Sequence, residues 1–207
     1  MDDLVRAAMA RWPDVPDVFG WLSLTRNGQW RLHPTGNALA PDDGDPDPEG
    51  ESISNPQITS FISRNYMTDD SGCWYFQNGP QKVYVRLDAA PLILRIDNKN
   101  SSLQAHTGTV VDIVSSWWLD DEGHLYAQTN LGPGLIVGRD LPAVIDTLHT
   151  PEGQPLSDAL EATTVDSIVV APALAASQTQ PASLHFCAAN HIETLLGFVR
   201  RPALRYA

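Results

Sequence analysis

Residues 73–87 read Cys-Trp-Tyr-Phe-Gln-Asn-Gly-Pro-Gln-Lys-Val-Tyr-Val-Arg-Leu. Two runs of aromatic and β-branched residues, Cys73 to Gln77 and Lys82 to Leu87, flank Asn78-Gly79-Pro80. Asn-Gly tolerates the positive φ of a tight turn, so the stretch predicts an antiparallel β-hairpin. Side chains alternate across a strand, which puts Val83, Val85 and Leu87 on one face and Tyr84 on the other. Across the hairpin, the partner of Tyr84 on that second face is Tyr75 or Gln77.

Working outward, Asn55-Pro56 opens a helix expected over about 56–66. Asparagine accepts from free backbone N–H groups, and proline suits the first helical position. Ile58, Phe61 and Ile62 form its apolar stripe. Further upstream, Trp21–Thr25 and Gln29–Leu32 flank Asn27-Gly28, a second hairpin. Residues 2–12 read as a helix ended by Pro13 and Pro16. Between them, residues 41–51 are Pro-Asp-Asp-Gly-Asp-Pro-Asp-Pro-Glu-Gly-Glu, a solvated acidic loop. Downstream of the central hairpin, Leu92–Ile96 predicts a strand, and the polar run 97–102 a domain boundary.

Beyond that boundary the pattern restarts. Trp117–Leu119 and His124–Ala127 predict a hairpin, and Asp140 is placed to cap a helix over 141–148. A short helix is expected at 157–163, strands at 167–170 and 183–188, and a last helix over 191–199 with Asn190 and Glu193 as a capping box. The fold class expected is therefore α+β. Antiparallel β-hairpins pack with short helices in two similar subdomains, 1–97 (with the acidic loop 41–51) and 103–207.

Composition limits the partners. Across 207 residues, 13 Lys and Arg stand against 25 Asp and Glu, a formal charge of −12. Nucleic-acid affinity comes largely from cations neutralising phosphates, so neither nucleic acid nor an anionic membrane is expected as a partner. The opening Met1-Asp2-Asp3-Leu4-Val5-Arg6 lacks the features of an export signal, and Cys73 and Cys187 make no disulfide framework. A cytoplasmic location is the expectation.

Several chemical motifs fail on spacing. Asp43, Asp45 and Asp47 resemble a calcium loop, but Pro48 and Ser54 stand where glycine and glutamate are required. His185, Cys187, His191 and Glu193 are ligand types that zinc accepts, yet paired Cys-x-x-Cys or His-x-x-x-His spacing is absent. Cys73 lies beside Trp74 without a cationic neighbour to lower its pKa. Gly132-Pro133-Gly134 is no phosphate loop, since proline removes an amide and no Gly-Lys-Ser/Thr follows. No catalytic residue, metal site or cofactor is expected. An alternative is a hydrolase that pairs His106 or His191 with a carboxylate.

The candidate ligand site is the end of the second helix and the adjoining hairpin: Arg64, Asn65, Tyr66, Tyr75, Gln77 and Gln81, with His106 as a further pocket residue. Planar donors, amides and aromatic faces together suit a small polar molecule or a protein partner. The same groups equally suit a polar network stitching helix to sheet.

Arg64-Asn65-Tyr66, Trp74-Tyr75-Phe76-Gln77-Asn78-Gly79-Pro80-Gln81 and Val83-Tyr84-Val85 resemble a proteobacterial family classed as a domain of unknown function. Met1-Asp2-Asp3-Leu4, Trp12-Pro13, Gly20-Trp21-Leu22 and His106-Thr107-Gly108 extend the resemblance over most of residues 1–140. That resemblance implies no activity. In layout the chain is also similar to another uncharacterised bacterial family of two small α+β units, which implies a signalling or ligand-sensing role. The expectation is a non-catalytic ligand-binding or protein-interaction module.

Overall fold

In the computed structural model, residues 1–40, 48–97, 102–162, 167–170 and 181–202 are described. Most of the acidic loop, including Asp43, Asp45 and Asp47, lies outside them. The chain divides into two compact units: Met1–Pro91 joined by the segment from Gly197, and Leu92–Leu196. Each is built on its own mixed β-sheet.

The first unit runs α1 (Asp3–Arg11), β1 (Val18–Leu24), β2 (Trp30–Leu32), β3 (Glu51–Ser52), α2 (Pro56–Arg64), β4 (Tyr66–Thr68), β5 (Trp74–Asn78) and β6 (Gln81–Leu87). Its sheet has the order β3-β2-β1-β6-β5-β4. Both expected hairpins form: Leu24 faces Trp30, and Tyr75 faces Tyr84. The pairing no local pattern announces is β1 with β6. They run parallel, which the long connection through β2, β3, α2, β4 and β5 permits. The register of β1 on β6 shifts between Val18 and Leu22. Gly20 sits at that irregularity with φ +82°, and a Cβ there would collide with the carbonyl oxygen of Gly36.

Helix α2 starts as expected. Asn55 Oδ1 accepts from Gln57 N at 2.9 Å and Ile58 N at 3.4 Å, and Pro56 opens the first turn. One sheet face meets α2, carrying Leu22, Leu24, Phe76, Val85 and Leu87 by register. Phe61 of the helix meets Phe76 edge-on at 5.5 Å. On the opposite face Cys73, Tyr75 and Tyr84 cluster with Phe19, Met67 and Val199. The returning segment is tied there, with Val199 N donating to Gly72 O and Leu87 N to Arg200 O.

The second unit runs β7 (Leu92–Asp97), β8 (Ser102–Ala105), β9 (Val114–Asp120), β10 (Leu125–Thr129), β11 (Gly132–Ile136), α3 (Leu141–Thr147), α4 (Leu156–Ala162), β12 (Ser167–Val170), β13 (Ala182–Cys187) and α5 (Ile192–Leu196). The sheet order is β12-β13-β9-β10-β11-β7-β8, with β13 parallel to β9 and β11 parallel to β7.

Several details depart from the sequence expectations. The polar run 97–102 connects two paired strands, since Asp97 faces Ser102, so it is a hairpin rather than a linker between domains. Residues 98–101 of it lie outside the described set. The division falls instead at Pro91 and Leu92, and the chain from Gly197 belongs with the first unit. Strand β11 forms from Gly132-Pro133-Gly134-Leu135-Ile136, where glycine and proline mask the strand signal. Gly134 is required there because a Cβ would come within 2.7 Å of the Leu94 side chain.

Asp140 does not cap α3. Its Oδ2 accepts from Ile96 N at 3.0 Å, stitching helix to sheet. The last helix is only Ile192–Leu196, preceded by a 3-10 turn. Ala189 N donates to Asp121 Oδ1 at 2.8 Å, and Gly197 with φ +68° ends the helix.

Candidate functional site

The structure distributes the seven sequence-selected residues over several places. Arg64 is exposed and pairs with Asp2 at 3.2 Å. The Arg64 hydrogen bond holds the Asp2 carboxyl below its usual range. Asn65 is buried and fully used: Oδ1 accepts from Asp2 N at 2.8 Å, Nδ2 donates to Phe61 O at 2.9 Å, and its carbonyl accepts from Gln77 N at 2.8 Å. It joins α1, α2 and β5 in one step.

Tyr66 turns to the α2 side of the sheet. Its ring lies 5.0 Å from Trp30 and 4.9 Å from Trp74, and its hydroxyl donates to Pro91 O at 3.1 Å. Burial pushes that phenol well above its usual pKa. Tyr75 and Gln77 are buried on the opposite face. Lys82 sits over the Tyr75 ring at 5.0 Å. Gln77 Nε2 donates to Gly79 O at 2.9 Å, whereas its Oε1 is buried without a partner among the described residues. Gln81 opens onto a cavity.

His106 belongs to the second unit. Its ring Nδ1 accepts from Ile93 N at 3.2 Å, while the backbone N–H of His106 donates to Ile93 O at 2.8 Å. Desolvation, with a smaller contribution from the charge of Arg95, pushes its pKa down to about 3. A histidine held neutral and already accepting from the backbone is a poor general base at neutral pH. His191 is exposed at the end of the 3-10 turn.

Two further constellations were not legible in the sequence. Ser23 Oγ and His33 Nε2 lie 2.9 Å apart, but at 0% and 1% exposure neither atom can be reached by a substrate. Asp120, Glu122 and His124 place one ligand atom each within 4.8 Å of one another, a donor set suited to a divalent cation. However, Asp120 Oδ1 already accepts from Glu122 N at 3.0 Å and His124 N at 2.7 Å, and Oδ2 faces His124 Nδ1 at 3.0 Å. That carboxylate is committed to closing the β9–β10 turn. The zinc-type residues of β13 have structural settings as well. His185 lies over Trp118 at 4.5 Å. The Cys187 thiol is held above its usual pKa by burial, then by the charges of Asp120 and Asp121.

The cavity that Gln81 opens onto is a cleft of about 820 Å³ between α2 and the sheet of the first unit. Its floor is apolar: Leu22, Phe61, Ile62, Phe76 and Val83. Around it, Trp21, Leu32 and Ile58 are 44%, 40% and 48% exposed, three large apolar side chains open to solvent at one place. Such grouping marks a binding surface more often than scattered exposed leucines do. At the mouth stand Glu51, Asn55, Asn78 and Gln81. Strand β3 and residues 53–55, leading into α2, form one side of the cleft lining. Its signal in the sequence was Ile58, the stripe residue that the sheet leaves uncovered.

Two mixed-sheet α+β units, one of them bearing an apolar cleft with a polar mouth, define the architecture. Residues 1–203 match the family described as "Protein of unknown function (DUF2946)", and the chain belongs to that family. Nothing among curated proteins matches. Among solved structures, a DUF1285 family protein from Silicibacter pomeroyi is similar at 13% identity and a TM-score of 0.48, covering 93% of this chain and 99% of that one. A second DUF1285 family protein, from Shewanella baltica, is similar at 16% identity and a TM-score of 0.39, covering 58% of this chain and 87% of that one. No helix among the described residues is long and apolar enough to cross a membrane.

Proposed function

We propose that this protein is a non-catalytic binding module whose ligand sits in the cleft between α2 and the sheet of the first unit. The carrying observation is the coincidence of an 820 Å³ apolar cleft with three exposed large apolar side chains at its rim. Small-molecule sites are commonly clefts of about 300–1,000 Å³, mostly apolar, with a few polar groups that orient the ligand. Gln81, Asn78 and Asn55 are those groups here. Gln81 Nε2 donates to Pro16 O at 3.1 Å, which fixes the amide at the mouth. The acidic charge argues against nucleic acid as the partner.

Titration with a neutral apolar fluorophore such as N-phenyl-1-naphthylamine tests this. Wild type is expected to enhance its emission saturably. Val83→Trp, which fills the floor, is expected to abolish the enhancement, with circular dichroism confirming that the variant folds. Ile58→Ser at the exposed rim is expected to weaken binding several-fold. Absence of enhancement in wild type, or enhancement unchanged in both variants, overturns the proposal.

A further inference from the structure

We infer that the ligand of this cleft is an amphiphile with a cationic head, an apolar body carrying an ammonium or similar group, and that Glu51 is the residue that selects the head. The inference rests on the cleft being a binding site and goes on to name its ligand class.

Among the described residues that line the cleft, Glu51 is the only ionisable side chain, and none is cationic. An anionic head would enter a mouth of amides, hydroxyls and one carboxylate, where nothing neutralises it. A neutral head would find hydrogen-bond partners but no charge. A cationic head finds a carboxylate, with the Asn78 amide and the Ser52 and Ser54 hydroxyls lining the same cleft. Placement supports the role. Glu51 lies on β3, the edge strand of the sheet, held by pairing with Leu32 of β2, and Leu32 itself is an exposed apolar lining residue. The head-group position and the apolar wall are thus fixed to each other by one strand pair. Ile53 N donates to Trp30 O at 3.0 Å just beyond, which anchors the rim to the buried core. The formal charge of −12 adds a field that concentrates cations and repels anions near the surface.

The test displaces bound N-phenyl-1-naphthylamine from the full chain with decylammonium, decanol and decanoate below their aggregation concentrations. The alkyl chain is constant, so differences report the head. Decylammonium is expected to compete best, on the order of two- to fivefold over decanol, as suits a pair at an exposed rim. Decanoate is expected to be weakest. Glu51→Gln is expected to bring decylammonium level with decanol. Ile58→Ser, at a half-exposed position on the rim, is expected to weaken all three alike, with circular dichroism confirming that the variant folds. Equal competition by the three heads, a preference for decanoate, or an ammonium preference that survives Glu51→Gln overturns the inference. If the fluorophore binds but no decyl compound displaces it, the ligand class is wrong and the cleft stands. If the fluorophore itself does not bind, the cleft reading fails first.

Discussion

The two aromatic hairpins, β5–β6 in the first unit and β9–β10 in the second, are alike in sequence and differ at their turns. Both carry tryptophan beside other aromatics, both turn at a positive-φ glycine (Gly79 at +59°, Gly123 at +82°), and both lie inside their sheets. In the second unit the turn is closed by a buried carboxylate: Asp120 takes two backbone N–H groups and faces His124. In the first unit the corresponding positions, Asn78 and Gln81, stand at the mouth of the cleft. One hairpin spends its polar end on its own backbone, and the other leaves Asn78 exposed at the cleft with Gln81 beside it tied to Pro16 O. Polar side chains at equivalent turns serve folding or binding according to what lies beside them, not according to their type.

The largest expected effect tests the committed turn. Asp120→Ala leaves two backbone donors and a half-buried histidine without their acceptor, and should cost about 3 kcal/mol in urea unfolding. A cost below about 1 kcal/mol would mean that the turn closes without the carboxylate, and the contrast between the hairpins would collapse.

A smaller effect comes from His106, another inward-turned polar group of the second unit. Its folded pKa of about 3 lies below the ordinary histidine value of 6.5, so the native state prefers it neutral. The stability it contributes is fully present above about pH 6.5 and is lost as pH falls from there towards 3. At pH 5 the loss is about 2 kcal/mol relative to pH 7, at about 1.4 kcal/mol per pH unit. Urea midpoints at pH 7 and pH 5 should show this fall in wild type and not in His106→Gln. Ordinary carboxylates titrate below that window, and the comparison with His106→Gln separates this imidazole from the other five histidines. A flat response in wild type would show that the imidazole is protonated without cost.

The smallest effect belongs to the open turn. Asn78→Ala is expected to change stability by less than about 0.5 kcal/mol, as for surface positions outside a bonded network. A loss comparable to that of Asp120→Ala would place Asn78 in the scaffold and remove it from the mouth of the cleft.

The helix and hairpins of the first unit were legible from local chemistry. Asn55-Pro56 marked the start of α2 because an asparagine cap and a proline at the first turn act within one turn of chain. Asn78-Gly79 marked the β5–β6 turn for an equally local reason. Strand β11 was not legible, because its Gly-Pro-Gly opening reads as a loop and is acceptable only where Leu94 fills the space left by Gly134. The candidate site was legible in part. Gln81 reaches the cleft, whereas Asn65 and Gln77 looked like ligand groups because amides serve both uses. Their burial depends on α1 and α2 meeting at β5, tens of residues apart along the chain.

The sequence by itself determined the α+β class, the positions of both aromatic hairpins, the cap of α2 and a charge unsuited to binding phosphates. All of these follow from neighbours within a few residues or from simple composition. Only the tertiary structure decided that β1 pairs parallel with β6, that the chain from Gly197 returns to the first unit, and that the sheet leaves Ile58 and Leu32 uncovered above an apolar floor. The physical reason is range. Periodicity and turn chemistry record hydrogen bonds made close by, whereas a cleft is the space left between elements that meet across long stretches of chain, and no local pattern encodes a space.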